Sequence, residues 1–243
     1  MKSALFTRVG YKQTGWNTKN DGSGTSHGLG ASYTTNAALT LYPEWTADTY
    51  TVSYNKGTGG SGTNTSDKKT YNVALTLRDA IFSRTGYSQT GWSRTDNGSK
   101  DFNLKGSYTD NAAVTLYPVW TAGSYTISYK KGTNGTGTEA TESKTHGINI
   151  TLKNAIFTRT GYVQTGWATA DSGTKAYDLG ANYTGNANLT LYPVWTAIQY
   201  EIQYHANGGS GAMDNSIHSY GVAKNLTANT YTNSGYKFTG WNT

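Results

Sequence analysis

The stretch Gly86-Tyr87-Ser88-Gln89-Thr90-Gly91-Trp92 belongs to a pattern, Gly-Tyr-x-x-Thr-Gly-Trp, that occurs four times in this chain. The other copies end at Trp16, Trp167 and Trp241, so neighbouring copies lie 76, 75 and 74 residues apart. Self-similarity at a fixed period is the signature of a repeat protein. We therefore predict that the 243 residues form an array of small units and not one large domain.

A second pattern, Thr-Leu-Tyr-Pro-x-Trp, defines the boundaries of these units. It ends at Trp45, Trp120 and Trp195, and only four residues separate each of these tryptophans from the tyrosine that opens the next unit. Connections this short leave little slack compared with flexible Gly/Ser linkers, which predicts an elongated, semi-rigid rod. The predicted units are the C-terminal part of a repeat (1–47), two complete repeats (48–122 and 123–197) and the N-terminal part of a fourth (198–243).

The composition narrows the class of protein. Aromatic residues (20 Tyr, 7 Trp and 5 Phe) supply much of the apolar content, as suits a thin core filled by a few large side chains. Cysteine is absent, which excludes disulfides and thiolate metal sites. The net charge is +6, but Lys and Arg never exceed two in a row, so we expect no nucleic-acid partner. Weak attraction to an anionic cell-wall polymer is compatible with this charge.

We expect neither a membrane span nor a signal peptide within these residues. No run of 18 apolar residues is present, so no membrane span is expected in this segment. Residues 1–6 are not a signal peptide, and they align with the interior segment Leu77–Phe82 of the next unit. We interpret the sequence as a window cut from a longer repetitive protein.

Within repeat 48–122 the first half carries signals for two strands and a short helix. Large and small polar residues alternate over Tyr50–Tyr54, which predicts a half-buried strand, and Gly57–Gly62 predicts a turn. A second strand is predicted at Thr70–Val73. Apolar residues spaced i, i+3, i+4 over Leu77–Phe82 predict one or two helical turns. Together, the predicted strands and the short predicted helix make each repeat a β-rich α+β unit.

The second half contains the two motifs. Gly91 predicts a bulge or a close backbone approach, and Asp96-Asn97-Gly98 predicts a hairpin turn. A strand is predicted over Ala112–Trp120. Because proline lacks the ladder N–H, we expect this strand to lie at a sheet edge where Pro118 stands, or to be irregular at that point. The residues that we expect to form the motif core of the two complete repeats are Tyr87, Gly91, Trp92, Leu116, Trp120, Tyr162, Gly166, Trp167, Leu191 and Trp195.

The last segment carries a family resemblance. The stretches 200–213 (Tyr-Glu-Ile-Gln-Tyr-His-Ala-Asn-Gly-Gly-Ser-Gly-Ala-Met), 226–229 and 235–241 are similar to the Listeria/Bacteroides repeat, also called the internalin B-type repeat. The resemblance extends over the whole chain, although the complete repeats lack the Asn-Gly-Gly-x-Gly-x-Met string. It implies tandem β-grasp-like units of about 75 residues in the extracellular part of bacterial or archaeal surface proteins. There such units serve as stalks or adhesive segments and carry no catalytic residues.

The sequence offers no strong candidate for a metal, phosphate or catalytic site. None of the four histidines stands at an equivalent repeat position, and Asp96–Asp101 lacks the ligand pattern of a calcium loop. The glycine-rich turns are not followed by the Gly-Lys-Ser/Thr of a phosphate loop. We therefore expect no metal, no cofactor and no enzyme activity. Lys–Asn cross-links, which some surface stalks form with the help of a buried acid, are disfavoured because 48–122 contains no Glu, although Asp79 or Asp101 could substitute.

The sequence thus predicts a stalk or fibre segment of a secreted or cell-surface protein. Its expected partners are neighbouring repeats, and other copies of the chain if its partial repeats complement one another in a filament. The alternative is an adhesin that binds glycans or a cell-surface receptor. One tyrosine per repeat would then face solvent as a contact residue, and the candidates are Tyr42, Tyr117 and Tyr192.

Overall fold

Seventeen strands and no helix make up the secondary structure of the computed structural model, which describes residues 1–243. The chain divides into two compact units, Met1–Gly123 and Ser124–Thr243. The structure contains no helix that is long and apolar enough to span a membrane.

The first unit contains a three-stranded sheet from the partial repeat and a complete repeat. The strands are β1 (Tyr11–Asn17), β2 (Ser26–Gly28), β3 (Tyr42–Ala47), β4 (Thr49–Tyr54), β5 (Thr65–Thr70), β6 (Leu75–Thr76), β7 (Tyr87–Ser93), β8 (Ser107–Tyr108) and β9 (Val114–Ala122). The order of the first sheet is β2-β1-β3, and that of the larger sheet in the complete repeat is β5-β4-β9-β7. In the larger sheet the central strands β4 and β9 run parallel, while β5 and β7 pair antiparallel to them, and β6 and β8 form a small second sheet.

The second unit repeats this arrangement with its own strands. The strands are β10 (Ser124–Tyr129), β11 (Ala140–Thr145), β12 (Ile150–Thr151), β13 (Tyr162–Ala168), β14 (Asn182–Tyr183), β15 (Leu189–Ala197), β16 (Gln199–Ile202) and β17 (Ser216–Ser219). The complete repeat has the sheet order β11-β10-β15-β13, with β10 and β15 parallel, and a small sheet β12-β14. The partial repeat that follows contributes the hairpin β16-β17.

The helix predicted over Leu77–Phe82 is wrong, and with it the α+β and β-grasp-like assignment. The segment is irregular because side chains and a loop take up its backbone N–H groups. The N–H of Leu77 donates to the carbonyl of Gly106, and that of Arg78 donates to the hydroxyl of Tyr54. The N–H groups of Ile81 and Phe82 both donate to Oε1 of Gln89. The fold is therefore all-β.

The second strand also lies elsewhere than predicted. β5 ends at Thr70, and Tyr71–Val73 form a turn in which the N–H of Val73 donates to the carbonyl of Thr70. Asn72 adopts a φ of 55°, which ends the extended conformation. The first predicted strand is confirmed as β4, in which Val52 and Tyr54 are buried and Thr51 is exposed.

Pro118 lies at an edge position of β9, as predicted, although the strand as a whole is central to its sheet. The parallel partner β4 pairs only with Val114–Leu116, and β9 continues beyond it. Pro118 therefore occupies a part of the strand that is paired on one side only, opposite Trp92 of β7. The missing N–H of proline costs no ladder bond on the open side.

Candidate functional site: the motif core and the seam between repeats

The tryptophan of the first motif is the centre of each complete core. Trp92 is 0% exposed, its ring lies 4.8 Å from that of Tyr54 and 5.9 Å from that of Phe82, and its Nε1–H donates to the carbonyl of Arg78 at 2.9 Å. In the next repeat Trp167 has the same surroundings, with Nε1 at 2.8 Å from the carbonyl of Lys153. Both indoles thus combine a large buried surface with a satisfied donor.

The tyrosines beside these indoles are also deeply buried. Tyr54 accepts a hydrogen bond from the N–H of Arg78, and Tyr129 accepts one from the N–H of Lys153 at 3.1 Å. Burial disfavours the charged phenolate and raises the pKa of each tyrosine to about 12. These hydroxyls serve as structural hydrogen-bonding groups at neutral pH.

Gly91 and Gly166 make the close approach that the sequence predicted. The pairing of β7 with β9 shifts register between Gln89 and Gly91, which is a β-bulge. A Cβ on Gly91 would lie 2.7 Å from the carbonyl oxygen of Phe102, and one on Gly166 would lie 2.8 Å from that of Tyr177. A Cβ atom does not fit at these distances from a backbone oxygen. Only glycine, which has no Cβ, is therefore sterically compatible with these two positions.

Sequence reasoning overlooked the buried glutamine of the motif. Gln89 bonds through Oε1 to the N–H groups of Ile81 and Phe82, and its Nε2 donates to the carbonyl of Gly91 at 3.5 Å. Gln164 makes the same set of bonds, and Gln13 does so in the first partial repeat. The recurrence of glutamine within the motif was a signal that could have identified this role.

The remaining predicted motif residues differ in burial. Leu116 and Leu191 are fully buried in their cores. Trp120 and Trp195 are partly buried and pack against the edge of the same clusters. The motif tyrosines Tyr87 and Tyr162 are half-buried. Among the predicted contact tyrosines, Tyr42 is 39% exposed, while Tyr117 and Tyr192 are half-buried.

We use the word seam for the contact between one repeat and the next, and the first seam joins residues 1–47 to repeat 48–122. Gly10, with a φ of 74°, lies under the ring of Tyr71, and a Cβ on this glycine would overlap that ring. The ring of Tyr71 meets that of Tyr11 edge to face at 5.6 Å, and the guanidinium of Arg8 lies 3.9 Å from the other ring. The N–H of Asp48 donates to the carbonyl of Gly10, and that of Tyr71 to the carbonyl of Asp48.

The same seam joins repeat 123–197 to residues 198–243. Gly161 lies under the ring of Tyr220, which meets the ring of Tyr162 edge to face at 5.9 Å. The guanidinium of Arg159 lies 3.8 Å from the ring of Tyr162. The N–H of Ile198 donates to the carbonyl of Gly161, and that of Tyr220 to the carbonyl of Ile198. One edge-to-face aromatic pair and one backbone hydrogen bond therefore cross each seam, and an arginine packs on the ring of the preceding repeat.

The acidic side chains near the glycine-rich turns have structural partners. No group of three or more His, Asp or Glu side chains lies close enough to hold a metal ion. Asp96, the first residue of the predicted hairpin turn, accepts hydrogen bonds from the N–H and the hydroxyl of Thr58, and Asp171 does the same for Thr133. These carboxylates fasten the glycine-rich turn to the hairpin turn.

Comparison with known proteins finds relatives among bacterial proteins, two of which are described here. The chain is 27% identical over 214 residues to a protein of Evansella cellulosilytica named "Putative Gly-rich membrane protein", and 29% identical over 175 residues to one from the same organism named "Putative membrane protein". These alignments cover 84% and 71% of this chain but only 24% and 25% of the relatives, so the chain spans about a quarter of their length. No solved structure matches the chain.

A family model matches four segments in succession, at residues 2–43, 50–119, 125–194 and 200–243. Together these segments account for nearly the whole sequence, and each contains one copy of the motif around which the cores are built. The matched family is a repeat family and not an enzyme family. The chain belongs to the Listeria-Bacteroides repeat domain family.

Proposed function

We propose that the chain is a structural stalk segment of a larger surface protein, positioned outside a bacterial or archaeal cell. The observation that carries the proposal is the seam, which is built twice from equivalent residues. A seam of this kind has no role within a single repeat, because its glycine and its outer tyrosine belong to different repeats. Its effect is to fix one repeat against its neighbour.

The geometry of the seam explains why it would limit bending. The ring of Tyr71 occupies the space that any side chain at position 10 would need, so this ring lies directly against the backbone of the preceding repeat. The edge-to-face pair, which crosses from one repeat to the next, adds about 0.5–1.5 kcal/mol beyond its buried area. A flexible Gly/Ser linker offers no such interaction.

Small-angle scattering on residues 1–243 tests the proposal. We expect a particle several times longer than it is wide, and a double variant Tyr71→Ala, Tyr220→Ala with a broader distribution of intramolecular distances. Tyr236→Ala is the matched control, because Tyr236 is 80% exposed and lies outside both seams. A compact wild-type particle, or identical curves for the double variant and the wild type, would contradict the stalk.

The proposed stalk acts without catalysis. Its partners are neighbouring repeats and, where partial repeats complement one another, further copies of the chain in a filament. The net charge of +6 suits weak attraction to anionic cell-wall polymers. Negative-stain images of the same sample distinguish single particles from filaments.

A second candidate function, glycan binding, is favoured by one cleft. This cleft of about 210 Å³ in repeat 123–197 is lined by Asn134, Arg159, Asp171 and Trp195 among others. An indole beside polar groups suits a sugar ring, but the volume is below the usual range of ligand sites, about 300–1,000 Å³, and Asp171 is already bonded to Thr133. Glycan-array binding that disappears in Trp195→Ala would favour this function over the stalk.

A further inference from the structure

Both complete repeats bury a lysine that pairs with an asparagine. Lys69 and Lys144 are each 1% exposed. The Nζ of Lys69 lies 3.0 Å from Oδ1 of Asn111, and the Nζ of Lys144 lies 3.0 Å from Oδ1 of Asn186. An ammonium group that is removed from water without a carboxylate partner is costly to bury. Each Nζ has one further acceptor, the carbonyl of Thr70 for Lys69 at 3.1 Å and that of Thr145 for Lys144 at 3.3 Å, so neutral oxygens hold both ammonium groups.

The amide group of each asparagine is held in position by the neighbouring turn. Oδ1 of Asn111 also accepts the backbone N–H of Asn72 at 2.9 Å, and Nδ2 of Asn111 donates to Oδ1 of Asn72 at 2.8 Å. In the next repeat the N–H of Gly147 donates to Oδ1 of Asn186 at 2.9 Å. Each amide carbonyl thus receives two hydrogen bonds, one from the lysine and one from the backbone. When the lysine acts as the nucleophile, the backbone N–H remains in place to donate to the carbonyl oxygen during attack at its carbon.

We propose that Lys69–Asn111 and Lys144–Asn186 are sites of amide cross-link formation, one within each complete repeat. A proton moves from the lysine ammonium to Oδ1 along their hydrogen bond, which leaves a neutral amine beside an activated carbonyl. The Nζ–Cγ bond forms and the Cγ–Nδ2 bond breaks. Nδ2 leaves as ammonia and carries away the proton that the ammonium gave up, so the products are a secondary amide and an ammonium ion.

The reaction proceeds without the carboxylate that the sequence led us to look for. Asp79 pairs with Lys105 at 2.7 Å, and Asp101 accepts the N–H of Arg94 at 2.7 Å, so both candidate acids have other partners. Asp110 precedes Asn111 but pairs with Arg94, and glycine takes its place before Asn186. The driving force is the release of a buried charge to water. Because the proton must come from the lysine itself, we expect the reaction to be slow.

The following partial repeat provides an internal comparison. In the sheet register Tyr50 faces Lys69 and Tyr125 faces Lys144, whereas Tyr200 faces His218. Histidine has no primary amine, so residues 198–243 cannot supply this cross-link. The proposal is independent of the proposed stalk function, because it concerns bonds within a repeat.

Intact-mass spectrometry of the purified chain tests the proposal. After prolonged incubation of the folded protein at neutral pH, we expect a mass below that of the sequence by two molecules of ammonia, and fragmentation that assigns branched peptides to the two pairs. A mass that stays equal to that of the sequence would overturn the proposal, and this measurement needs no variant.

Variants assign the losses to their sites. Lys69→Arg keeps the cation but removes the amine, so we expect the loss of one ammonia only. Lys68→Arg changes the adjacent exposed lysine and should retain both losses. Equal losses in these two variants would overturn the assignment of the first cross-link to Lys69.

Discussion

The two complete repeats share their interiors and differ in their surface charges. Trp92 and Trp167 have equivalent ring neighbours and equivalent hydrogen bonds. On the partly exposed surface of each repeat one ion pair differs. Arg78 pairs with Asp67 in the first repeat, whereas Lys153 pairs with Glu142 at 2.9 Å in the second. Interior groups must satisfy packing and hydrogen bonding together, while exposed ion pairs contribute about 0–1 kcal/mol and are easily exchanged.

The strongest way to break this equivalence is to remove a central indole. Trp92→Ala and Trp167→Ala should each cost about 3–5 kcal/mol of unfolding free energy, because a fully buried ring is replaced by a cavity. Hydrogen exchange, read separately on peptides from 48–122 and 123–197, checks that each variant acts in its own repeat. Val163→Ala, at an exposed strand position, is the control. A large difference between the two tryptophan variants would contradict the shared core.

Alkaline pH should weaken both repeats through Tyr54 and Tyr129. In the unfolded chain tyrosine loses its proton near pH 10, whereas the folded chain holds it to about pH 12. The unfolded state therefore binds fewer protons between these values, and stability falls as pH rises, by about 1.4 kcal/mol per pH unit for each tyrosine. Below pH 10 this contribution does not vary with pH.

Urea titrations across pH 9–12 measure this effect. Tyr54→Phe should flatten the alkaline limb for residues 48–122, and Tyr129→Phe should do so for 123–197. An unchanged pH slope in both variants would show that other groups cause the alkaline loss.

Replacing the buried glutamine should have an intermediate effect that is equal in the two repeats. Gln89→Leu leaves the N–H groups of Ile81 and Phe82 without their acceptor, and Gln164→Leu does the same to Ile156 and Phe157. An unsatisfied buried donor costs about 1–3 kcal/mol. Chemical denaturation measures the loss, with Thr90→Ala as an exposed control in the same motif. A cost similar to that of the control would contradict the structural role of the glutamine.

The smallest effect on stability is expected from the partly exposed ion pair between Arg78 and Asp67. The hydrogen bond from Arg78 lowers the pKa of Asp67, so its contribution to stability is present above the unfolded pKa, near 3.9, and is lost as pH falls through the lower folded value. Asp67→Asn should cost about 1 kcal/mol or less at neutral pH, and the difference from wild type should vanish in acid. Glu142→Gln is the matched variant in the other repeat. An Asp67→Asn effect that persists in acid would mean that packing and not charge is involved.

The sequence could predict those features that depend on local pattern. Alternation identified β4, and the glycine at position 91 indicated the bulge. The helix over Leu77–Phe82 was wrong because its apolar spacing says nothing of Tyr54 and Gln89, which are distant in sequence and supply the bonding partners. Strand β5 was misplaced because its residues, Thr-Ser-Asp-Lys-Lys-Thr, show no apolar alternation.

The seam and the buried lysine escaped sequence reasoning for related reasons. Tyr71 and Tyr220 play the same part, but histidine stands at the equivalent position 146 and a one-residue change in period displaces Tyr220. A lysine in a polar strand is ordinarily exposed, and only the tertiary structure places Lys69 in the interior.

The parallel pairing of β4 with β9 has a mechanical consequence. β4 opens repeat 48–122 and β9 closes it, so a pull on the two ends of the repeat draws these adjacent strands in opposite directions. Their hydrogen bonds are then loaded in shear, all at once, instead of being unzipped in sequence as in a hairpin. Val52, Tyr54 and Leu116 must leave the core in the same event. Each complete repeat is thereby built to resist tension until it yields as a whole.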